Sequence, residues 1–227
     1  METTMKKLLL IFFTLYSIPA HSTDIHRSGN EKYVAHDGCE PYVVTCKSPS
    51  KRLFKQNQIE IKQFIGLYNK TTINKYLARV VVCRDLRING HKWVRGTYNV
   101  KTKTVFIEVD RQTDDTEYVF HHEFSSVLLL KNKNFLKIKK HWLTLNKKSY
   151  SGSWGPSSGT NWNSENKNLR TKGFLFPYST TSFENDFNVM AAFYKSRMLK
   201  YRLYKASKKY KLIGGKYKII KKFFSEL

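Results

Sequence analysis

The hydrophobic positions of this chain fall into alternating stretches of helical and extended spacing, in the order helix, strands, hairpin, helix, loop, helix. Between Arg52 and Tyr68, the residues Leu53, Ile59, Ile61, Phe64, Ile65 and Tyr68 recur mostly at helical intervals, which predicts an amphipathic helix. Ala78 to Ile88 is an apolar, β-branched run closed by the turn pair Asn89-Gly90, and it reads as a strand. Gly96–Val100 and Thr104–Val109 flank Lys101-Thr102-Lys103 and read as a hairpin. Asp114, with Glu117 three residues on, has the form of a capping box. It opens a predicted helix over residues 115–130 that carries Val119, Phe120, Phe124, Val127, Leu128 and Leu130. A third long helix is predicted from Thr181 or Ser182, with Phe183, Phe187, Met190, Phe193 and Met198.

The remaining stretches lack such order. Residues 23–50 show no sustained periodicity and are expected to be irregular. Residues 149–172, rich in Ser, Gly, Asn and Trp, are expected to form a long flexible loop, a length more often functional than structural. The lysine-rich end, residues 198–227, is expected to be a basic helical tail broken at Gly214-Gly215 into a helix, a turn and a short helix.

The first 22 residues stand apart. Lys6 and Lys7 precede an apolar run through Ile18, and Pro19-Ala20-His21-Ser22 supplies small residues where a signal peptidase reads. The run is too short to span a bilayer as a mature helix, and no later segment approaches the required length. The expectation is a secreted or periplasmic protein cleaved near Ser22, with residues 23–227 as a single domain. That length is enough for a real core.

Charge adds a partner class. There are 41 Lys and Arg against 17 Asp and Glu, a net charge of +24. The leader carries Lys6, Lys7 and Glu2, so its removal lowers this by one. Such a surplus suits an anionic envelope polymer or a lipid surface, with nucleic acid the least expected, although a solvated basic surface explains it equally well. Of the three cysteines, Cys39 and Cys46 are close enough in sequence to close a small loop, leaving Cys83 buried in its strand; a bond from Cys83 to either is the alternative. Trp142, Trp154 and Trp162 could stack on a glycan, though Trp142 fits a core position better.

The densest chemistry lies in the middle helix, where residues 121–126 read His-His-Glu-Phe-Ser-Ser. A zinc peptidase of the H-E-x-x-H kind needs an imidazole, an adjacent glutamate to deprotonate the metal-bound water, and a second ligand one turn on. His122 and Glu123 supply the first two. Ser126 stands where the second histidine belongs, and a neutral hydroxyl is a poor zinc ligand. His121 is a spare imidazole, but it points about 100° around the helix from His122.

Phe120-His121-His122-Glu123-Phe124-Ser125-Ser126, followed by Gly173-Phe174-Leu175-Phe176-Pro177-Tyr178-Ser179 and by Phe183-Glu184-Asn185-Asp186-Phe187, resembles secreted bacterial zinc metallopeptidases of the gluzincin type. In these a G-F-x-x-x-Y-A/S segment leads into a helix beginning E-D-F-A-E. The resemblance spans roughly residues 55–195 and implies an α+β, zincin-like fold. It places a small mixed or antiparallel sheet on the motif helix, then a second ligand helix and a basic helical C-terminus. It implies a bound zinc, His122 as ligand, Glu123 as general base, an acidic third ligand and Tyr178 as oxyanion support. Glu184 is the first candidate for that ligand. Aligning on Phe187 instead puts Asn185 at the usual position, with Asp186 one further on.

Each residue has a plainer reading. Glu184 follows Thr181 by three and could complete a capping box, Asp186 suits a helix N-terminus, and Tyr178 could be a packed aromatic. Three functions follow. The first is a zinc-dependent hydrolase acting on protein or peptide. The second is a catalytically inactive zincin scaffold that binds an envelope polymer or a protein, and the third is a basic module for anionic polymers.

Overall fold

The computed structural model describes residues 23–37, 40–90, 92–109, 115–146, 150–152 and 166–227. Leader cleavage, Cys39, Asp114, Trp154 and Trp162 lie outside the described residues. Among those described, three strands come first: β1 (Asp24–Arg27), β2 (Glu31–His36) and β3 (Pro41–Lys47). Helices α1 (Lys51–Ile65) and α2 (Lys70–Tyr76) lead to β4 (Arg79–Ile88), β5 (Lys92–Trp93), β6 (Gly96–Asn99) and β7 (Thr104–Glu108). The rest is helical: α3 (Thr116–Leu130), α4 (Phe135–Leu143), α5 (Lys167–Thr171), α6 (Phe183–Lys195), α7 (Lys200–Lys209) and α8 (Lys211–Ser225).

The mixed sheet is organised on β4. Its first half runs parallel to β1 and β7, with Val80 opposite Ile25 and Val105; its second half is antiparallel to β3 and β5, with Ile88 opposite Val44 and Lys92. The change occurs around Asp85, which takes a left-handed φ of 51°, a conformation Asp tolerates better than most residues. Lys47 and Arg87 hold its carboxylate at 2.7 and 2.8 Å and keep its proton affinity below the ordinary carboxylate range. Val80, Val81, Val82 and Cys83 are all fully buried, as expected of a strand covered on both faces. Val80 and Val82, with Val105 and Ile107, join the helices' core; Val81 and Cys83, with Phe106, join a smaller core under β2 and β3.

Helix α3 is buried on nearly every side, between α1, α6 and the β6–β7 hairpin, so it is the central rod of the domain. Its Asp115 cap makes no side-chain capping bond; that carboxylate pairs with Arg95, which also holds Glu108 at 3.1 Å. Glu117 accepts from Ser196 and Arg197 across the helix interface, while its expected capping-box partner Asp114 lies outside the described residues.

Three expectations are corrected. Residues 23–50 are not irregular but contain β1, β2 and β3. Cys46 is bonded to Cys83, with a Cα separation of 5.3 Å, and not to Cys39. Gly214-Gly215 does not break the C-terminal region, because α8 runs through both residues and the break falls at Tyr210. Residues 198–227 are helical as expected, and they are packed: Leu203, Ile213, Ile220 and Phe223 are buried in the main core, and Thr72 donates to the carbonyl of Leu227. The expected loop is mostly outside the described residues, but its end is the helix α5.

Candidate functional site

Two helices and one strand build the site. On α3, spacing of four residues puts His122 and Ser126 one turn apart on the face turned to α6, with Glu123 beside them next to β6. Ser182 caps α6 by accepting from the Asn185 backbone NH, so the cap is Ser182 and not Thr181, and Glu184 is free for other work. The Pro177–Thr180 turn then brings Tyr178 over His122, with ring centroids 5.7 Å apart.

His122 is buried, and its ring is held by a hydrogen bond with Asn185 and by the Tyr118 hydroxyl, 3.3 Å from Nδ1. Burial pushes the imidazole down to about 4, so it is neutral at physiological pH. Glu123 is half-buried as a residue, but its carboxyl is enclosed; burial first, and the charge of Glu184 second, push it up to about 8. Burial also raises Glu184, against hydrogen bonds from Tyr98, Ser126 and Asn188. The Tyr98 hydroxyl donates to Glu184 Oε1 at 2.6 Å, and Asn188 Nδ2 donates to Ser126 Oγ at 2.6 Å. Tyr178 feels both Glu123 and Glu184, and its hydroxyl is held in the neutral form mainly by burial.

The structure therefore gathers His122, Glu123, Glu184 and Tyr178 and leaves out two expected residues. His121 lies on the far face of α3, where its Nδ1 meets the Tyr68 hydroxyl at 2.9 Å and its ring packs on Phe64 and Phe120. The 100° step between neighbouring helical residues explains this. Asp186 is fully buried in an ion pair with Lys216, and Trp142 Nε1 and the Tyr150 hydroxyl also donate to it, at 2.8 and 2.9 Å. Trp142 is thus core and not a stacking surface. Asn185, which alignment on Phe187 puts at the usual ligand position, is instead a hydrogen-bond partner of His122; Tyr98 and Asn188 were not anticipated. For Asn188 a signal existed, since it follows Glu184 by four and shares its helix face.

The free edge of β6 is covered as well. Tyr42, on β3, hydrogen-bonds the Thr97 hydroxyl at 2.7 Å and donates to the Tyr98 carbonyl at 2.5 Å. Beyond it, the Val100 NH donates to the His36 carbonyl at 2.9 Å, and Asn99 Nδ2 to the Val34 carbonyl at 3.0 Å. The β2–β3 hairpin so takes up two main-chain groups that an added strand would need, the Tyr98 carbonyl and the Val100 NH.

No family model matches this chain, and no curated protein matches it. A solved structure does: a crystal structure of a "putative zinc-binding metallo-peptidase" from Bacteroides caccae superposes with a TM-score of 0.52 at 14% identity, covering 92% of this chain and 81% of that one. The likeness is one of fold. The chain is a mixed α+β domain with the fold of that protein, and zinc binding is a property stated of the neighbour.

Whether these residues suit zinc is decided by the donors. A catalytic zinc takes three protein ligands drawn from imidazole, thiolate and carboxylate. Here there is one imidazole, a serine hydroxyl already bonded to Asn188, and a carboxylate engaged by Tyr98 and Ser126. Among the described residues no three His, Cys, Asp or Glu side chains converge as a metal site. The donor set does not fit.

Close contact between β6 and α3 keeps Glu123 in place. A Cβ added at Gly96 would stand 2.6 Å from Val119 Cγ1, 2.7 Å from Glu123 Cγ and 3.0 Å from Glu123 Oε1. Gly96→Ala is expected to cost about 1–3 kcal/mol by overpacking, measured as a lowered urea midpoint. An unchanged midpoint would show that β6 and α3 do not approach so closely.

Proposed function

We propose that this is an exported, non-catalytic binding protein built on a metallopeptidase-like fold, with no zinc centre at His122. One observation carries the reading: the position of the second histidine is filled by Ser126, whose hydroxyl accepts from Asn188 and is engaged with Glu184. A neutral hydroxyl is a poor zinc ligand, and one already engaged on both sides offers a metal little. The β6 edge groups taken up at Tyr98 and Val100 support the same reading. Export is supported by the Cys46–Cys83 bond, which suits an oxidising compartment. No described helix is long and apolar enough to cross a membrane.

The test is zinc content after dialysis against micromolar zinc, for wild type, His122→Ala and Glu184→Gln. The expected result is background zinc in all three, with no cleavage of unfolded casein. Near-stoichiometric zinc in the wild type, lost in His122→Ala, would restore the expected zinc peptidase with Glu123 as general base.

One feature favours a second reading. Glu123 and Glu184 interact within one buried cluster that includes Tyr98 and Tyr178, and a buried carboxyl pair with raised proton affinities can supply acid and base without a metal. Hydrolysis that survives a chelator and disappears in Glu123→Gln selects it over the binding reading.

A further inference from the structure

Between Asp186 and Glu226 there is no acidic residue, while lysine or arginine recurs through α7 and α8. On α7 this surplus is ordered. Leu203 and Ala206 are buried toward α6 and α8, and the opposite face presents Tyr201, Tyr204, Lys205 and Lys208, which share one stripe by their spacing of three and four. Tyr201 and Tyr204 are 63% and 46% exposed, and Met198, just ahead of the helix, is 78% exposed. Packing of the domain requires none of the three. Each tyrosine carries an ammonium over its ring, Lys205 at 4.6 Å from the Tyr201 centroid and Lys208 at 5.4 Å from that of Tyr204.

We propose that this face of α7 docks the protein on an anionic lipid surface, with the tyrosine rings at headgroup depth and the lysines on the lipid phosphates. Three features select a bilayer over a polyanion. An outward helix face is a ridge, which meets a plane, whereas single-stranded nucleic acids are tracked by grooves lined with open aromatic faces. Here the ring faces are already held by ammonium groups. Tyrosine and lysine on one stripe have an apolar body and a polar tip, the side-chain form that settles at a membrane interface. Lys200 and Lys209 at the ends of the helix are exposed and add charge within reach of the same plane. This deepens the binding reading by naming what is bound, yet it uses no residue of the His122 cluster; a protein found to hold zinc would overturn that reading and leave this one standing.

The test is co-sedimentation of the full chain with vesicles of phosphatidylglycerol and phosphatidylcholine, against phosphatidylcholine alone. Binding to the anionic vesicles only, weakening with salt, is expected. Lys205→Gln/Lys208→Gln is expected to weaken partitioning roughly 25-fold, since each cation near such a surface is worth about fivefold. Tyr201→Ser/Tyr204→Ser is expected to weaken it severalfold with the salt dependence intact. Lys51→Gln/Lys55→Gln, at exposed positions of α1, should change it less than about twofold. Equal losses for the α1 and α7 pairs would overturn the proposal in favour of diffuse charge. Failure to sediment with the vesicles, beside retention on an acidic polysaccharide or DNA, would overturn it in favour of a polymer.

Discussion

Lys216→Met is expected to lower the stability of the domain by about 3–5 kcal/mol, which for a chain of this size is a fall of roughly 6–20 °C in the melting temperature. Lys216 and Asp186 are both completely buried, and their ion pair joins α8 to the first turn of α6. Burial drives the two groups toward neutrality, raising Asp186 and lowering Lys216, and their mutual attraction and hydrogen bonds oppose it. Removing the ammonium leaves a carboxylate with only the Trp142 and Tyr150 donors. It also removes the bond from Lys216 to the Gly173 carbonyl, 2.6 Å long, that pins the chain entering the Tyr178 turn. The double variant Lys216→Met/Asp186→Asn should recover most of the loss. Asparagine still accepts from Trp142 and Tyr150 while no charge remains buried, and a replaced buried pair is often close to neutral. Urea unfolding of both variants and of Asp186→Asn alone gives the coupling directly. A loss under about 1 kcal/mol in Lys216→Met would mean that water reaches the pair.

That pair also shows where the sequence stopped being informative. Asp186 sits near a helix N-terminus and next to candidate ligands, so local reasoning gave it a capping charge or a metal, and its true partner lies thirty residues on in another helix. The apolar run of β4, the β6–β7 hairpin and the periodic helices α1, α3 and α6 were legible because their burial is continuous or regular. The hairpin of β2 and β3 was not. Its outward residues include Val34 and Val43, 63% and 40% exposed, so apolar side chains stand on both faces and the alternation is blurred. The disulfide follows from that missed hairpin: Cys46 lies at the register shift where β3 meets β4, which turns it toward Cys83. Gly214 and Gly215 read as a helix break by propensity. Added Cβ atoms there would stand 2.7 Å from the Ser207 carbonyl and 2.8 Å from Leu145, so the glycines serve close helix packing. Within the site, the turning away of His121 was readable from helix geometry alone, whereas Tyr98 depends on a strand meeting α6 across the sheet edge.

Ser126→His, combined with Asn188→Ala to make room, is expected to raise zinc affinity on the order of 100-fold or more over the wild type. Losing outer-shell support alone costs a metal site 10–100-fold, and a missing first ligand costs at least as much. The serine is almost fully buried, and an imidazole there alone would clash with the neighbouring helix, so a single substitution would confuse steric strain with weak coordination. Removing the Asn188 amide opens that space and releases Glu184 from one of its hydrogen bonds. The Tyr98 hydroxyl would still orient the carboxylate, the support that metal-binding carboxylates ordinarily have. Isothermal titration with zinc measures the gain, and adding His122→Ala or Glu184→Gln to the double variant must abolish it. A gain that needs both residues would place His122, residue 126 and Glu184 in zincin geometry, with zinc missing from the natural sequence for want of one donor. No gain, in a variant that still folds, would mean that α3 and α6 do not aim these side chains at a common point. The likeness to the peptidase fold would then stop at the backbone.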